Sequence, residues 1–169
     1  RAVTPIVTTE HGDVQGFKDE GVDGFLGLRY GKAPIGELRF MPPEEPDDWD
    51  GIYDATSLGA PAMQMYSASG PRESDFSRQM QDIFPTSGEA KIDNEDALFL
   101  NVWTPAEDGA KRPVMVWFHG GGYVYGSGGW KAYDGRNLAE KGDVVVVTVN
   151  HRLNTFGYLY LGDKVVDAY

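Results

Sequence analysis

Short apolar runs broken by glycine, proline and acidic residues occupy the first half of the chain, and longer uninterrupted ones occupy the last third. Residues 3–8 and 14–18 are β-prone and are separated by His11, Gly12 and Asp13, which predicts an opening hairpin. Residues 25–30 form a third short run, ended by Gly31 and Pro34. The segment 41–51 carries three prolines and five acids and predicts an exposed loop. Residues 59–94 are polar and rich in Ser, Met and Pro, and only a short helix near 74–83 is expected there. Beyond this point the pattern sharpens. Residues 98–104 (LFLNVWT) alternate enough for a strand, 114–118 (VMVWF) are continuously apolar, and 144–150 (VVVVTVN) are apolar and β-branched almost throughout. Between the last two lies a predicted helix over 135–141, with Asp134 placed to cap its start and Gly142 just past its end. Two apolar strands joined by a loop and a helix predict a βαβ unit in a buried parallel sheet, and an α/β class.

At 169 residues the chain has the length of one domain, and 41% hydrophobic residues suffice for a core. Fifteen Lys and Arg against 26 Asp and Glu leave a net charge of −11, which argues against nucleic-acid binding and against attachment to anionic lipid. No apolar run reaches the length that crosses a membrane, so no membrane partner is expected. The absence of cysteine removes disulfides, thiolate metal sites and cysteine nucleophiles, while leaving both a cytoplasmic and an exported location open. Three scattered histidines lack ligand spacing, so neither a metal nor another cofactor is implied. Arg1 is not an initiator methionine and no signal-like stretch follows it, so the start is expected to be trimmed.

Glycine is the strongest bias, and much of it falls directly after the 114–118 run, in His119-Gly120-Gly121-Gly122-Tyr123-Val124-Tyr125-Gly126-Ser127-Gly128-Gly129. A phosphate cradle would need GxxxxGK[ST], or GxGxxG opening directly into a helix, and neither is present. A plain strand-to-helix connection, with glycine merely relieving backbone strain, is one surviving reading. The other is an oxyanion hole: backbone N–H groups held toward the negative oxygen that acyl transfer creates, with no Cβ in the way. A strand followed by HGGG, a helix and the next strand is the order found in lipases and esterases of the α/β-hydrolase type, and favours this second reading.

Longer stretches carry a resemblance. Phe25-Leu26-Gly27 through Tyr30-Gly31-Lys32-Ala33-Pro34, Leu38-Arg39-Phe40, Trp49-Asp50-Gly51, the stretch 95–105 (EDALFLNVWTP), 113–122, Asn150-His151-Arg152-Leu153 and Phe156-Gly157-Tyr158-Leu159 follow one another in the order of the type B carboxylesterases. That family includes para-nitrobenzyl esterases and cholinesterases. The resemblance implies an α/β-hydrolase fold, of which residues 1–169 would be the N-terminal part of a single domain with a central, mostly parallel sheet. It implies a serine carboxylic-ester hydrolase in which the N–H groups of Gly121 and Gly122 serve the oxyanion hole, and Tyr123 and Tyr125 lie beside the mouth of the substrate pocket. Ordinary packing of amphipathic rings is the competing role for both tyrosines. His119 is expected to brace the loop rather than act as a base, because the family's catalytic histidine comes much later. Arg39 and Glu95 match a structural ion pair of the family, and Arg152 a structural arginine whose partner should lie beyond this chain.

The departures matter as much. No serine has Gly at both −2 and +2, so the G-x-S-x-G nucleophile elbow is absent, and the acid and histidine of a triad are expected later still. The C-terminal remainder of the hydrolase, on a separate chain, is therefore the expected partner, with a small-molecule ester as substrate. Alanine stands at 62 and 97, where the family often has a cysteine pair, so the 62–97 loop is expected to be held by packing alone and to be mobile. That loop has no Trp of the kind choline-reading relatives use, which disfavours a choline ester. The alternative to an enzyme is a non-catalytic binding or adhesion module on the same fold.

Overall fold

The computed structural model describes residues 2–65, 74–84, 93–106, 108–160 and 162. Nine strands and three α-helices are found among them: β1 (Ala2–Val3), β2 (Val7–Thr8), β3 (Asp13–Gln15), β4 (Phe17–Asp19), β5 (Val22–Arg29), β6 (Ile52–Asp54), α1 (Asp75–Ile83), β7 (Phe99–Thr104), β8 (Val114–Phe118), α2 (Arg136–Gly142), β9 (Val145–Val149) and α3 (Asn154–Tyr158). Six strands form one sheet in the order β1-β4-β5-β7-β9-β8, and β2, β3 and β6 form a second.

The expected opening hairpin is present, but each of its two runs is divided between the sheets. β1 pairs with β4 in the large sheet, and β2 pairs with β3 in the small one. The division falls at Pro5, which has no N–H to give a ladder. Next to it, the buried Thr4 hydroxyl accepts the Gly16 N–H at 2.9 Å, and the Thr4 N–H reaches the Gly16 carbonyl at 3.2 Å. Both chains therefore change sheets at one hydrogen-bonded point.

Alternation along β7 assigns its two faces. Trp103 joins Val22, Ala139 of α2 and Val146 in one core cluster, while Val102 packs with Val14, Phe25 and Ala55 under the small sheet. α2 thus covers one face and the small sheet the other. Asn101 and Thr148 are register partners on β7 and β9 and are almost fully buried. Asn101 Nδ2 donates to Thr148 Oγ1 at 3.0 Å, its Oδ1 accepts the Gly27 N–H at 3.0 Å, and Thr148 Oγ1 donates to the Gly128 carbonyl at 2.8 Å. This chain of bonds runs from an irregularity in β5 to the glycine loop. It satisfies polar atoms that would be costly to bury unpaired.

α2 lies one residue later than the sequence predicts. Gly135 is its N-cap, with the Asp134 carboxylate accepting the Arg136 N–H at 2.9 Å, and Gly142 is its last helical residue. The left-handed position belongs to Asp143 (φ 48°), whose carboxylate takes the Arg112 Nε–H at 2.7 Å. A tertiary ion pair therefore occupies the place that local propensity reserves for glycine.

Parallel pairing is confirmed for β8 and β9, in register from Val114 with Val145 to Phe118 with Val149. The pairs β1/β4, β4/β5, β5/β7 and β7/β9 are antiparallel, so the large sheet is mixed rather than mostly parallel, with its one parallel pair at the β8 edge. Burial of that unit is where expectation fails. β9 is covered, but β8 is the edge of the sheet, and each of its five residues is between 48% and 65% exposed. A strand with no polar position is written for cover on both faces, and the described residues leave its side chains about half exposed or more, with Trp117 packed on Tyr133.

Candidate active site at the glycine loop

The loop leaves β8 at His119 and reverses within six residues. Gly121 and Gly122 have φ of 127° and 61°, Tyr123 follows at 64°, and Gly126 returns at 128°. Val124 and Tyr125 both direct their N–H groups at the Gly121 carbonyl, at 3.1 and 3.4 Å. A Cβ on Gly121 would stand 1.9 Å from the Tyr125 carbonyl oxygen, so the turn closes only around glycine. Nothing comes within 4 Å of a Cβ placed on Gly122. Among the described residues, the N–H groups of Gly121 and Gly122 have no acceptor. The turn thus presents two adjacent, unsatisfied backbone donors.

Side-chain amides hold the loop in place. Asn150, just after β9, accepts the Gly128 N–H at 2.8 Å and the Ser127 hydroxyl at 3.2 Å, and donates to the Ala60 carbonyl at 3.1 Å. Asn154 donates its backbone N–H to the Tyr123 carbonyl at 2.9 Å, and its Nδ2 to the carbonyls of Val124 at 3.0 Å and Met63 at 3.2 Å. Gln64 donates to the Gly126 carbonyl at 3.0 Å while accepting the Gly126 N–H at 2.8 Å. Sequence reasoning missed Gln64 and Asn154, because an isolated amide in a polar stretch carries no periodic signal. Ser127 is buried in these bonds, with its oxygen also accepting the Gly129 N–H at 3.0 Å, and has the surroundings of a structural hydroxyl.

His119 is buried and its ring stacks on His151, with centroids 4.4 Å apart and planes 12° from parallel. Its Nδ1–H donates to the Gly120 carbonyl at 2.9 Å. Burial holds the imidazole below the ordinary histidine range, and the charge His151 can carry adds to the effect. Bonded to its own loop and stacked on His151, the ring is placed to brace the turn, the role the sequence leads us to expect. Tyr123 is 65% exposed and leans on Tyr158 at 4.5 Å, while Tyr125 is 39% exposed and lies 6.2 Å from Trp130. Both tyrosines therefore flank the turn, and both are also packed on another ring. Phe84, at the end of α1, meets Trp130 and Tyr133 edge-on, and Tyr133 also meets Trp117 of β8, which forms an aromatic wall beside the loop.

The early segments are fastened by charge. Arg39 bonds Glu95 through two nitrogens, at 2.5 and 2.8 Å, as the family resemblance implies. Arg29 does the same with Asp96 at 2.6 and 2.9 Å and stacks over Phe99. Arg152 donates to the Met41 carbonyl at 2.9 Å and makes no ion pair among the described residues. The described part of the 62–97 segment is held by more than packing, contrary to expectation. Ala62 and Ala97 bury Leu153 between them, the Asn94 N–H bonds the Pro61 carbonyl at 3.0 Å, and Lys131 pairs with Asp82 at 3.0 Å. The short helix expected near 74–83 is α1, capped by the Ser74 hydroxyl on the Ser77 N–H.

Tyr30 ties this frame to the loop: its hydroxyl donates to the Asn150 carbonyl at 2.6 Å. Burial pushes its phenol up to about 12, against a weaker opposing influence from Arg152. An acid whose pKa rises on folding contributes stability that is complete below its unfolded value of about 10 and is lost as pH climbs through about 12. Denaturant midpoints should therefore fall between pH 10 and 12, and Tyr30→Phe should flatten that part of the profile.

No group of His, Cys, Asp or Glu among the described residues could hold a metal ion, and no described helix is long and apolar enough to cross a membrane. The sequence profile of the carboxylesterase family matches residues 3–168. The chain belongs to the carboxylesterase family. Among its carboxylesterase relatives, the para-nitrobenzyl esterase of Bacillus subtilis is 38% identical over 156 residues, which are 92% of this chain and 29% of that protein. The human cocaine esterase is 40% identical over 171 residues, covering 96% of this chain and 29% of that protein. Among solved structures, the Geobacillus stearothermophilus carboxylesterase superposes on 95% of this chain and 29% of its own length, at 47% identity and a TM-score of 0.77. The fold is accordingly that of the carboxylesterases, an α/β-hydrolase, of whose length this chain spans about three tenths.

Proposed function

We propose that residues 1–169 are the N-terminal part of a single serine carboxylesterase domain and supply its oxyanion hole. The observation that carries this reading is the pair of unsatisfied N–H groups at Gly121 and Gly122, on a turn that only glycine can close. A serine hydroxyl from the remainder of the domain gives its proton to a base of that remainder and adds to the ester carbonyl, and the carbonyl π pair moves onto oxygen. That oxygen accepts hydrogen bonds from Gly121 and Gly122, which are already oriented and so cost no reorganisation as charge develops. Collapse of the adduct expels the alcohol, which takes up that proton, and leaves an acyl-serine; water repeats the sequence to release the acid. Tyr123 and Tyr125 border the substrate on either side of the turn, and neither a metal nor a cofactor enters.

The remainder, on a separate chain, seats a strand parallel to β8 and covers its two apolar faces. The exposure of all five β8 residues supports this partner. A binding-only module would gain nothing from two rigid donors left unpaired. Native mass spectrometry of the protein, then of the same sample denatured, tests the reading. A larger polypeptide bearing a G-x-S-x-G serine should travel with this chain, separate on denaturation, and take up a fluorophosphonate on that serine. A monodisperse, folded chain alone, with no ester hydrolysis, would overturn it.

A further inference from the structure

We propose that Gln64 is a positioning residue for the oxyanion turn, acting through Gly126. The inference rests on the reading of Gly121 and Gly122 as oxyanion donors. The turn is closed on itself at one end, where the Gly121 carbonyl takes the N–H groups of Val124 and Tyr125. At its other end, Gln64 meets both polar atoms of Gly126 with both ends of its own amide, at 2.8 and 3.0 Å. Among the described residues, no other side chain bonds both polar atoms of one residue within the turn. Gly126 is itself confined, because a Cβ there would stand 2.3 Å from His119 Nδ1. Its backbone is thus wedged between the His119 ring and the Gln64 amide.

Gln64 is well placed to act as a fixed point. Its Nε2 also donates to the Ala62 carbonyl at 3.1 Å, which fixes its rotamer. Ala62 in turn bridges Asn94 and is buried against Ala97 and Leu153. A two-way amide clasp sets orientation as well as distance, and an oxyanion donor loses its effect when it moves by a fraction of an ångström. Asn154 secures the carbonyls of Tyr123 and Val124 from the opposite side, but through one donor atom and its backbone.

The test uses the complete esterase. Gln64→Met keeps the length of the side chain and removes both bonds. It should lower kcat about tenfold with KM within twofold, and weaken a trifluoromethyl ketone, whose hemiketal adduct with the serine carries the oxyanion, by the same factor. Affinity for the alcohol product should not change. Gln64→Glu keeps the acceptor and loses the donor, and its kcat relative to wild type should rise as pH falls, since a protonated carboxyl donates again. Loss of packing alone would not produce that pH-dependent ratio, so the second variant decides the matter even if Gln64→Met is poorly folded. Equal kcat for Gln64→Met and wild type, or a pH-independent ratio for Gln64→Glu, would overturn the role of Gln64. If Gly121→Ala is crippled in the same assay, the oxyanion reading survives that outcome; if Gly121→Ala is fully active, both fall together.

Discussion

Gly121→Ala should lower kcat for ester hydrolysis by about 10²–10³-fold, the loss seen when one oxyanion donor is removed, while leaving KM nearly unchanged. The added methyl would lie 1.9 Å from the Tyr125 carbonyl oxygen, and the neighbour is backbone rather than a side chain that can swing away. The turn must open, and the Gly121 and Gly122 donors move with it. Gly122→Ala is the matched control, because its Cβ meets nothing within 4 Å and only its φ of 61° is strained. Its cost should be a few-fold in kcat, since the N–H remains and alanine tolerates that region at about 1–2 kcal/mol. Steady-state kinetics of the two variants, with thermal melts to establish that both fold, separate an oxyanion turn from a plain connection. Equal effects from the two substitutions would favour the plain connection.

Val116→Lys should have opposite consequences in two settings. In the chain by itself, Val116 is 52% exposed on an edge strand, so a lysine there stays hydrated and should reduce self-association. In the complete protein, the proposed seating of the remainder puts the same position under the partner's strand. An unpaired ammonium would then be buried at a cost of several kcal/mol, which corresponds to a melting temperature lower by on the order of 10 °C, or to no soluble enzyme. Sedimentation of the isolated chain and thermal unfolding of the complete protein read the two arms. An unchanged melting temperature in the complete protein would mean that β8 stays uncovered, and the proposed seating of the remainder would fail.

Much of this molecule was legible in its residues. Strand β8 matches its apolar run at both ends, and β7 and β9 lie within one residue of theirs, because β-branched and aromatic runs bounded by turn formers have few alternatives. α1 falls within the 74–83 stretch where a short helix is expected. The glycine loop stood out as a turn, and the order of the other motifs named the family that the profile match then established.

What remained hidden shares one physical cause: it depends on groups far apart in sequence. The first two runs divide between sheets because Thr4 finds Gly16, and Asp143 takes the left-handed position because Arg112 is there to hold it. Gln64 reaches Gly126 across 62 residues, and neither position signals the other. The exposure of β8 is hidden in the same way. Composition along a strand says whether it requires cover, and only the assembled sheet says whether the cover is supplied. Residue pattern alone was enough for the later strands, the turn that needs glycine and the family. Tertiary structure decided which amides lock that turn and which strand is left open, because long-range pairing is set by geometry that local residue preferences do not encode.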